Sequence, residues 1–257
     1  MTAAIALPQP HNEFLARLRT VTLGLGGRGV MGLGVGRSSV QAAAAVPWWL
    51  AGGAPAPVAA YQPKGAASLA ASYVNLANPG MYDVVEGAAY PSWSAGVGWS
   101  FSAASHQYLN TGITSRLYGW TMMCQFANAS YYSHFGDGDV LMGKYQYRQA
   151  FYLAPTRTSS LTRWQSGGSS YNISNITTGG NMALAGQKAY LNGNLQATIT
   201  TDWDNIAPQA GSVLIGAFTN ISTPSNWFQG DIIAAALWST ALSDAQVAAV
   251  SAAMAAL

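Results

Sequence analysis

Charged side chains are scarce in this sequence. Asp, Glu, Lys and Arg make up 8% of its 257 residues, against about 25% in ordinary globular proteins. The net charge of +2 is too small to indicate a nucleic-acid partner. Ser, Thr, Asn, Gln, Gly and Ala must therefore form most of the surface, and such a surface repels neighbouring molecules only weakly. The composition favours a protein whose surface is buried against other subunits.

Cysteine and long apolar runs are also nearly missing. A single cysteine, Cys124, excludes an internal disulfide framework, and its apolar surroundings, WTMMCQFA, predict a buried and unreactive thiol. Pro47, Pro55 and Pro57 interrupt the Ala-rich stretch that comes nearest to a membrane span, which needs roughly 18 apolar residues. The first residues lack the basic region of an export signal. We therefore expect neither a membrane span nor ordinary export.

Glycine, proline and aromatic residues are plentiful instead, with 28 Gly, 11 Pro and 11% aromatics. From Tyr90 onward, clusters of turn residues separate short apolar segments, as an antiparallel sandwich requires. In the segment YGWTMMCQFAN, alternation places every second side chain on one face, namely Trp120, Met122, Cys124 and Phe126. The pattern predicts an all-β domain over residues 47–257.

Two segments near the C-terminus carry the strongest local signals. In AYLNGNLQATIT, the pair Asn192-Gly193 predicts a hairpin with a type I′ turn. Residues 228–250, FQGDIIAAALWSTALSDAQVAAV, predict a buried strand followed by a helix, because Ser243 and Gln246 have the spacing of a capping box. The apolar stripe of that helix recurs at helical spacing, at Val247, Val250, Met254 and Leu257.

Together these two segments resemble the closing part of a laminin-G-like domain of the concanavalin A-like lectin/glucanase superfamily. In that family a Y-x-N-G hairpin precedes a last core strand of the form F-x-G-D-I … A-L-S-D. The resemblance covers the C-terminal third well and the middle third loosely. It implies a jelly-roll sandwich over residues 47–257 with a short C-terminal helix, and a structural role for Asp231 in the G-D-I motif.

Residues 1–46 differ in composition from the rest of the chain. The tract 24–38, GLGGRGVMGLGVGRS, is Gly-rich and apolar. It contains G-x-G-x-x-G, but the glycines that follow prevent the helix that a dinucleotide fingerprint requires. We predict an N-terminal arm that docks on a neighbouring subunit, with a disordered tail as the alternative. Between this arm and the sandwich, residues 47–57 are expected to form an irregular linker containing Trp and Pro.

Catalysis requires residues that the chain lacks at the expected spacing. Glycosidases of this superfamily carry E-x-D-x-E, because glycoside hydrolysis uses two carboxylates that flank the scissile bond. The sequence has two glutamates, Glu13 and Glu86, which are far apart. It also has no G-x-S-x-G elbow and no H-E-x-x-H pair. The sequence therefore predicts a protein that is not an enzyme.

One candidate binding site is the acidic pair Asp137 and Asp139 in SHFGDGDV. These carboxylates would supply oxygen ligands to Ca²⁺ at the rim of the sandwich, with carbonyls and waters completing the shell. The alternative is a polar turn between two strands. His134 lies beside the pair in sequence and is a candidate ligand-binding residue for that reason. No other cofactor is expected.

A second candidate site is Asp202-Trp203-Asp204, after the Asn192-Gly193 hairpin. Trp203 would stack on a sugar ring while the two carboxylates accept hydrogen bonds from its hydroxyls. The alternative is that Trp203 packs into the sandwich.

These features lead to two hypotheses on function. The first is a non-catalytic structural or decoration protein of a large assembly, a bacteriophage-type virion, on its capsid or tail surface. Its partners would be copies of itself, in a homo-oligomer, or other capsid and tail proteins. The alternative is an extracellular carbohydrate-binding module or adhesin that recognises surface glycans through its rim loops.

Overall fold

The computed structural model describes residues 46–115, 117–132, 139–145, 150–200, 211–220 and 223–257. Most of their regular structure is β-strand. The strands are β1 (Ala59–Tyr61), β2 (Val85–Glu86), β3 (Ser92–Ser94), β4 (Gly98–Phe101), β5 (Leu109–Asn110), β6 (Thr121–Ala127), β7 (Met142–Tyr145), β8 (Ala150–Thr158), β9 (Leu161–Gly167), β10 (Ser169–Ile173), β11 (Gly180–Ala185), β12 (Lys188–Leu191), β13 (Asn194–Thr198), β14 (Leu214–Ile215), β15 (Phe218–Asn220), β16 (Thr223–Ser225) and β17 (Gly230–Trp238). The helices are α1 (Leu69–Ser72) and α2 (Asp244–Ala255), with 3-10 turns at Trp48–Gly53 and Ala103–Ser105.

The strands form two sheets. Sheet A has the order β13-β12-β11-β6-β17-β4-β3, and β1 also pairs with β17. Sheet B has the order β10-β9-β8-β7-β14-β5-β2, and β15 joins it beside β7 and pairs with β16. The described pairings are antiparallel except that of β15 with β7, which is parallel. The prediction of an all-β sandwich with a short C-terminal helix is confirmed.

Strand β17 lies in the middle of sheet A. It pairs with β6 along one edge, while β4 and then β1 pair with successive halves of its other edge. The contact with β4 is close, since a Cβ on Gly98 would lie 2.4 Å from the carbonyl oxygen of Ile232. The carboxylate of Asp231 accepts hydrogen bonds from Ser100 and Asn128. These bonds give Asp231 the structural role that the G-D-I resemblance implies.

The main core lies between the two sheets and contains large side chains. The three β6 side chains predicted to share a face, Met122, Cys124 and Phe126, are buried in this core. Burial raises the pKa of the Cys124 thiol well above its ordinary value, which agrees with an unreactive thiol. From β17, Ile232 and Leu237 point into the same core.

The outer face of sheet A is covered by α2. Strand β17 presents Ala234, Ala236 and Trp238 to this helix-side cluster, and the predicted stripe of α2 packs on them, with Val247, Val250 and Met254 buried and Leu257 partly buried. The capping box is present, because the backbone N–H of Gln246 donates to the hydroxyl of Ser243 over 3.3 Å and the Gln246 side chain accepts the N–H of Ser243 over 2.9 Å.

The segment before β1 is not the irregular linker that its sequence predicts. A 3-10 turn at Trp48–Gly53 packs against the outer face of sheet A, where Trp48 is buried. The indole N–H of Trp238 donates to the carbonyl of Pro55 over 2.9 Å. A Cβ on Gly52 would lie 2.5 Å from the Cβ of Ala249. The linker prediction is wrong because two buried tryptophans fix this segment against the sheet and α2.

The predicted hairpin is confirmed. It joins β12 and β13, and both turn residues have the positive φ that a type I′ turn requires, 50° at Asn192 and 77° at Gly193. Residues 1–45 of the predicted arm (1–46) lie outside the described residues, and the division of the chain after residue 46 stays a prediction. In the part of the chain that is described, no helix has the length and apolar character to cross a membrane.

Candidate functional site

The structure describes one of the predicted site residues. His134, Asp137, Asp202, Trp203 and Asp204 lie outside the described residues, and their predicted roles stay predictions. Asp139 is described, at the bridge that joins it to Thr156 of β8.

The carboxyl group of Asp139 is buried, with 2% of the residue exposed. One of its oxygens, Oδ2, accepts the backbone N–H of Tyr132 over 3.1 Å and the hydroxyl of Thr156 over 2.9 Å. Burial raises the pKa of Asp139 to about 7, although both hydrogen bonds lower it. Asp139 therefore links the backbone at Tyr132 to Thr156 of β8.

Asp139 has few acidic neighbours that could share a Ca²⁺ ion. Within the described ranges, no three His, Cys, Asp or Glu side chains come together. A Ca²⁺ ion takes six to eight oxygen ligands, and burial of Asp139 disfavours the ionised form that would bind it. Calcium binding stays a prediction that depends on Asp137.

A cleft of about 610 Å³ lies at one end of sheet A. Three segments line it, together with Thr198 of β13: residues 118–119 ahead of β6, residues 185–188 at the β11–β12 turn, and residues 241–244 at the start of α2. Its size is within the usual range of about 300–1,000 Å³ for small-molecule sites.

Hydrogen bonds hold the three segments together. The backbone N–H of Gly186 donates to the carbonyl of Trp120 over 2.7 Å. The hydroxyl of Thr121 donates to the carbonyl of Thr240 and accepts the N–H of Leu242, both over 2.8 Å. Because the start of β6 is bonded to both other segments, the walls of the cleft are formed before any ligand arrives.

An ion pair lies on one side of the cleft. The ammonium of Lys188 is 2.7 Å from Oδ1 of Asp244, and the hydroxyl of Tyr190 donates to the same oxygen over 2.8 Å. These two hydrogen bonds lower the pKa of Asp244, which is also the first residue of α2 and lies at the positive end of the helix dipole. Asp244 is therefore ionised at neutral pH.

An exposed aromatic ring lies on the same cleft. Tyr118 is 58% exposed, although a tyrosine usually buries much of its ring. Lys188 and Asp244 are also accessible, with 42% and 54% of their side chains exposed. The cleft thus offers an apolar ring face, a cationic donor and an anionic acceptor to one ligand.

Sequence reasoning did not find this cleft. Tyr118, Lys188 and Asp244 belong to three segments that are far apart in the chain, and the order of strands in sheet A brings them together. The one available signal was charge, because Lys188 and Asp244 are among the few charged residues of the C-terminal half. In the sequence, Asp244 stands out only as the last residue of the A-L-S-D motif.

Comparison with known proteins shows likeness of fold. No protein-family model matches the sequence, and no curated protein matches it. Two solved structures of Trypanosoma rangeli sialidase are similar. A mutant displaying trans-sialidase activity has a TM-score of 0.52 and 10% identity over 77% of this chain and 33% of that one. The complex with 2,3-difluorosialic acid has a TM-score of 0.51 and 10% identity over 76% and 32%.

The binding domain of botulinum neurotoxin serotype D is also similar, with a TM-score of 0.48 and 10% identity over 77% of this chain and 50% of that domain. The present chain spans about a third of the length of the sialidase chains it matches. At these identities the likeness to the sialidases shows the fold, which is a β-sandwich.

One sequence prediction is corrected by this comparison. The prediction that the protein is not an enzyme is contradicted by the likeness to sialidase and trans-sialidase chains. The spacing of the glutamates excludes one glycosidase motif. Sialidases are an exception to the two-carboxylate pattern, so the absence of that motif does not exclude them. Catalysis itself is not established at 10% identity.

Proposed function

We propose that the protein binds carbohydrate, that its cleft at the end of sheet A is the binding site, and that its sandwich is of the laminin-G-like type that its C-terminal motif resembles. One observation carries the proposal: Tyr118, Lys188 and Asp244 are exposed together in a single cleft.

A sugar unit is well matched to such a set of groups. It has a face of C–H groups, which packs on an aromatic ring, and a rim of hydroxyls, each of which both donates and accepts hydrogen bonds. Tyr118 would receive the C–H face, while Lys188 donates to one hydroxyl and Asp244 accepts from another. Binding sites of this kind combine a mainly apolar lining with a few polar groups that fix orientation.

Two further observations support the proposal. The bonds from Thr121 to Thr240 and Leu242 preorganise the cleft, so little conformational entropy is lost when a ligand binds. One of the similar chains is a sialidase in complex with 2,3-difluorosialic acid, a sugar derivative. That likeness supports the sandwich as a scaffold for binding a sugar. The position of the proposed site depends only on residues of this chain.

Glycan binding is tested on an array and then by calorimetric titration of the glycans that bind. We expect saturable binding that Tyr118→Ala weakens by about tenfold or more, because the ring supplies the apolar contact. Tyr90→Ala is the matched control, since Tyr90 is 50% exposed and lies outside the cleft. The same samples are assayed for released free sugar, because the fold also occurs in sialidase chains.

Absence of binding to every glycan would overturn the proposal. Equal losses for Tyr118→Ala and Tyr90→Ala would show that sugar binds elsewhere on the protein.

An assembly role is the second candidate, and the charge content of 8% is the observation that favours it. In this proposal the protein is a structural or decoration protein of a virion, and residues 1–46 dock on a neighbouring subunit. Deleting residues 1–40 should leave a folded sandwich that no longer joins the assembly. Retained assembly by the truncated protein would remove the main argument for this role.

A further inference from the structure

We infer that the cleft prefers an uncharged sugar unit with two adjacent hydroxyls and disfavours sugars that carry a carboxylate or a sulfate. This inference rests on the proposed carbohydrate binding and specifies the class of ligand. It depends on the ion pair between Lys188 and Asp244 and on the capped start of α2.

The ion pair offers a donor and an acceptor side by side. Both the Lys188 ammonium and the Tyr190 hydroxyl contact Oδ1 of Asp244, and the carboxylate also accepts the backbone N–H of Asp244 itself. An ionised carboxylate has about four lone-pair sites, so Asp244 can accept one more hydrogen bond from a ligand. The Lys188 ammonium has three N–H donors, and one of them is directed at Asp244. Two neighbouring hydroxyls of one sugar ring would meet this pair, the first accepting from Lys188 and the second donating to Asp244.

The charges of the described lining residues cancel. Lys188 and Asp244 are the charged side chains among them, one of each sign. An acidic sugar would bring a second anion close to the Asp244 carboxylate, and the Lys188 cation is already paired with that carboxylate over 2.7 Å. Like charges at close range are unfavourable, and an element that repels the wrong ligand gives specificity.

The capping box already satisfies two backbone donors at the start of α2. Helix N-termini bind anions through backbone N–H groups that lack partners within the helix. Here the N–H of Gln246 donates to the Ser243 hydroxyl and the N–H of Ser243 donates to the Gln246 side chain. The side chains of the capping box therefore satisfy donors that would otherwise attract a carboxylate or sulfate.

The test compares neutral glycans with their sialylated and sulfated counterparts, printed as matched pairs on one array and then titrated in solution. For the wild-type protein we expect each neutral member to bind about tenfold more tightly than its acidic counterpart. The ratio of the two affinities should become smaller at high salt, because the repulsion that weakens binding of the acidic member is electrostatic and is screened.

Two substitutions separate the roles of the charges. Asp244→Asn removes the repelling carboxylate and leaves Lys188 uncompensated, so the preference for neutral glycans should disappear or reverse. Lys188→Met leaves the carboxylate alone, so binding of acidic members should fall further and neutral members should lose one hydrogen bond. Urea unfolding checks that each variant is folded, and Tyr90→Ala should leave the ratio of affinities unchanged.

Three outcomes would overturn the inference. Equal or tighter binding of acidic glycans by the wild-type protein, or an unchanged ratio in Asp244→Asn, would overturn the preference and leave carbohydrate binding intact. Absence of any glycan binding would overturn both the preference and the proposed function. The two proposals therefore fail in distinguishable ways.

Discussion

Strand β17 of sheet A and the region around β8 of sheet B differ in the polar groups that they bury. In sheet A, β17 is apolar on both faces, with Leu237 in the core between the sheets and Ala236 under α2. In sheet B, the region around β8 buries polar groups, among them Asp139 and Thr156. The stability of these two regions therefore depends on different interactions. The stability of sheet A depends on volume and packing, whereas that of sheet B also depends on the ionisation of a buried carboxyl group.

The largest effect is expected from removing volume in the centre of sheet A. Leu237→Ala deletes a fully buried side chain, and the cavity it leaves should lower the free energy of unfolding by about 2–5 kcal/mol. Leu195→Ala is the matched control, because Leu195 is 45% exposed on β13. Urea unfolding midpoints in one buffer measure both. Equally small losses would mean that β17 is not a core strand.

The next effect concerns the buried carboxyl of sheet B. The pKa of Asp139 is about 7 in the folded protein against an ordinary 3.8. Between pH 3.8 and about 7, Asp139 is protonated in the folded state and ionised in the unfolded state. The free energy of unfolding should therefore fall as pH rises from about 4 to about 7, by at most about 1.4 kcal/mol per pH unit. Asp139→Asn cannot ionise and should flatten this part of the curve.

Thr156→Val is the control for the pH experiment and should act in the opposite direction. Its hydroxyl donates to the Asp139 carboxylate over 2.9 Å and favours the ionised form. Without that bond the pKa of Asp139 rises further, so the fall in stability should extend to higher pH. Parallel pH curves for the wild-type protein and Asp139→Asn would contradict this account.

A smaller effect is expected from adding volume on the helix side of sheet A. Ala236 is fully buried, and α2 packs closely on this face, so Ala236→Leu should destabilise by about 1–3 kcal/mol through overpacking. Ala245→Leu adds the same volume at an exposed position of α2 and should stay within about 0.5 kcal/mol of the wild type. Thermal and urea unfolding distinguish the two. Similar values would show that the helix can move away from the sheet.

The smallest effect concerns the end of that helix. Ser243→Ala removes the hydroxyl that accepts the N–H of Gln246 and should lower the free energy of unfolding by about 1 kcal/mol. Ser239→Ala, at an exposed position just after β17, should have little effect. A loss of stability as large as that of Leu237→Ala would mean that α2 contributes more to the stability of sheet A than its packing indicates.

The features that the sequence predicted correctly depend on neighbouring residues. The turn at Asn192-Gly193, the capping box at Ser243 and the buried face of β6 each follow from a few consecutive side chains. Periodicity and turn chemistry act over such distances, and therefore they could be recognised without a structure.

The features that the sequence did not predict depend on pairing between distant segments. Trp48 is buried because α2 and sheet A form a surface for it, and its own Pro-rich surroundings indicate a loop. The cleft exists because β6, the β11–β12 turn and the start of α2 meet at one end of sheet A. Nothing in the spacing of Tyr118, Lys188 and Asp244 indicates that they are neighbours.

The position of β17 has a consequence for the order in which the protein folds. Its partners β1, β4 and β6 all precede it by long stretches of chain, and Leu237 pairs with Ala59. While the protein is synthesised, the edges of β4 and β6 that pair with β17 stay unpaired until residues 230–238 have left the ribosome. Contacts of such sequence separation slow folding and expose edges that aggregate. A fragment that ends before residue 230 is therefore expected to aggregate rather than to fold as a smaller sandwich.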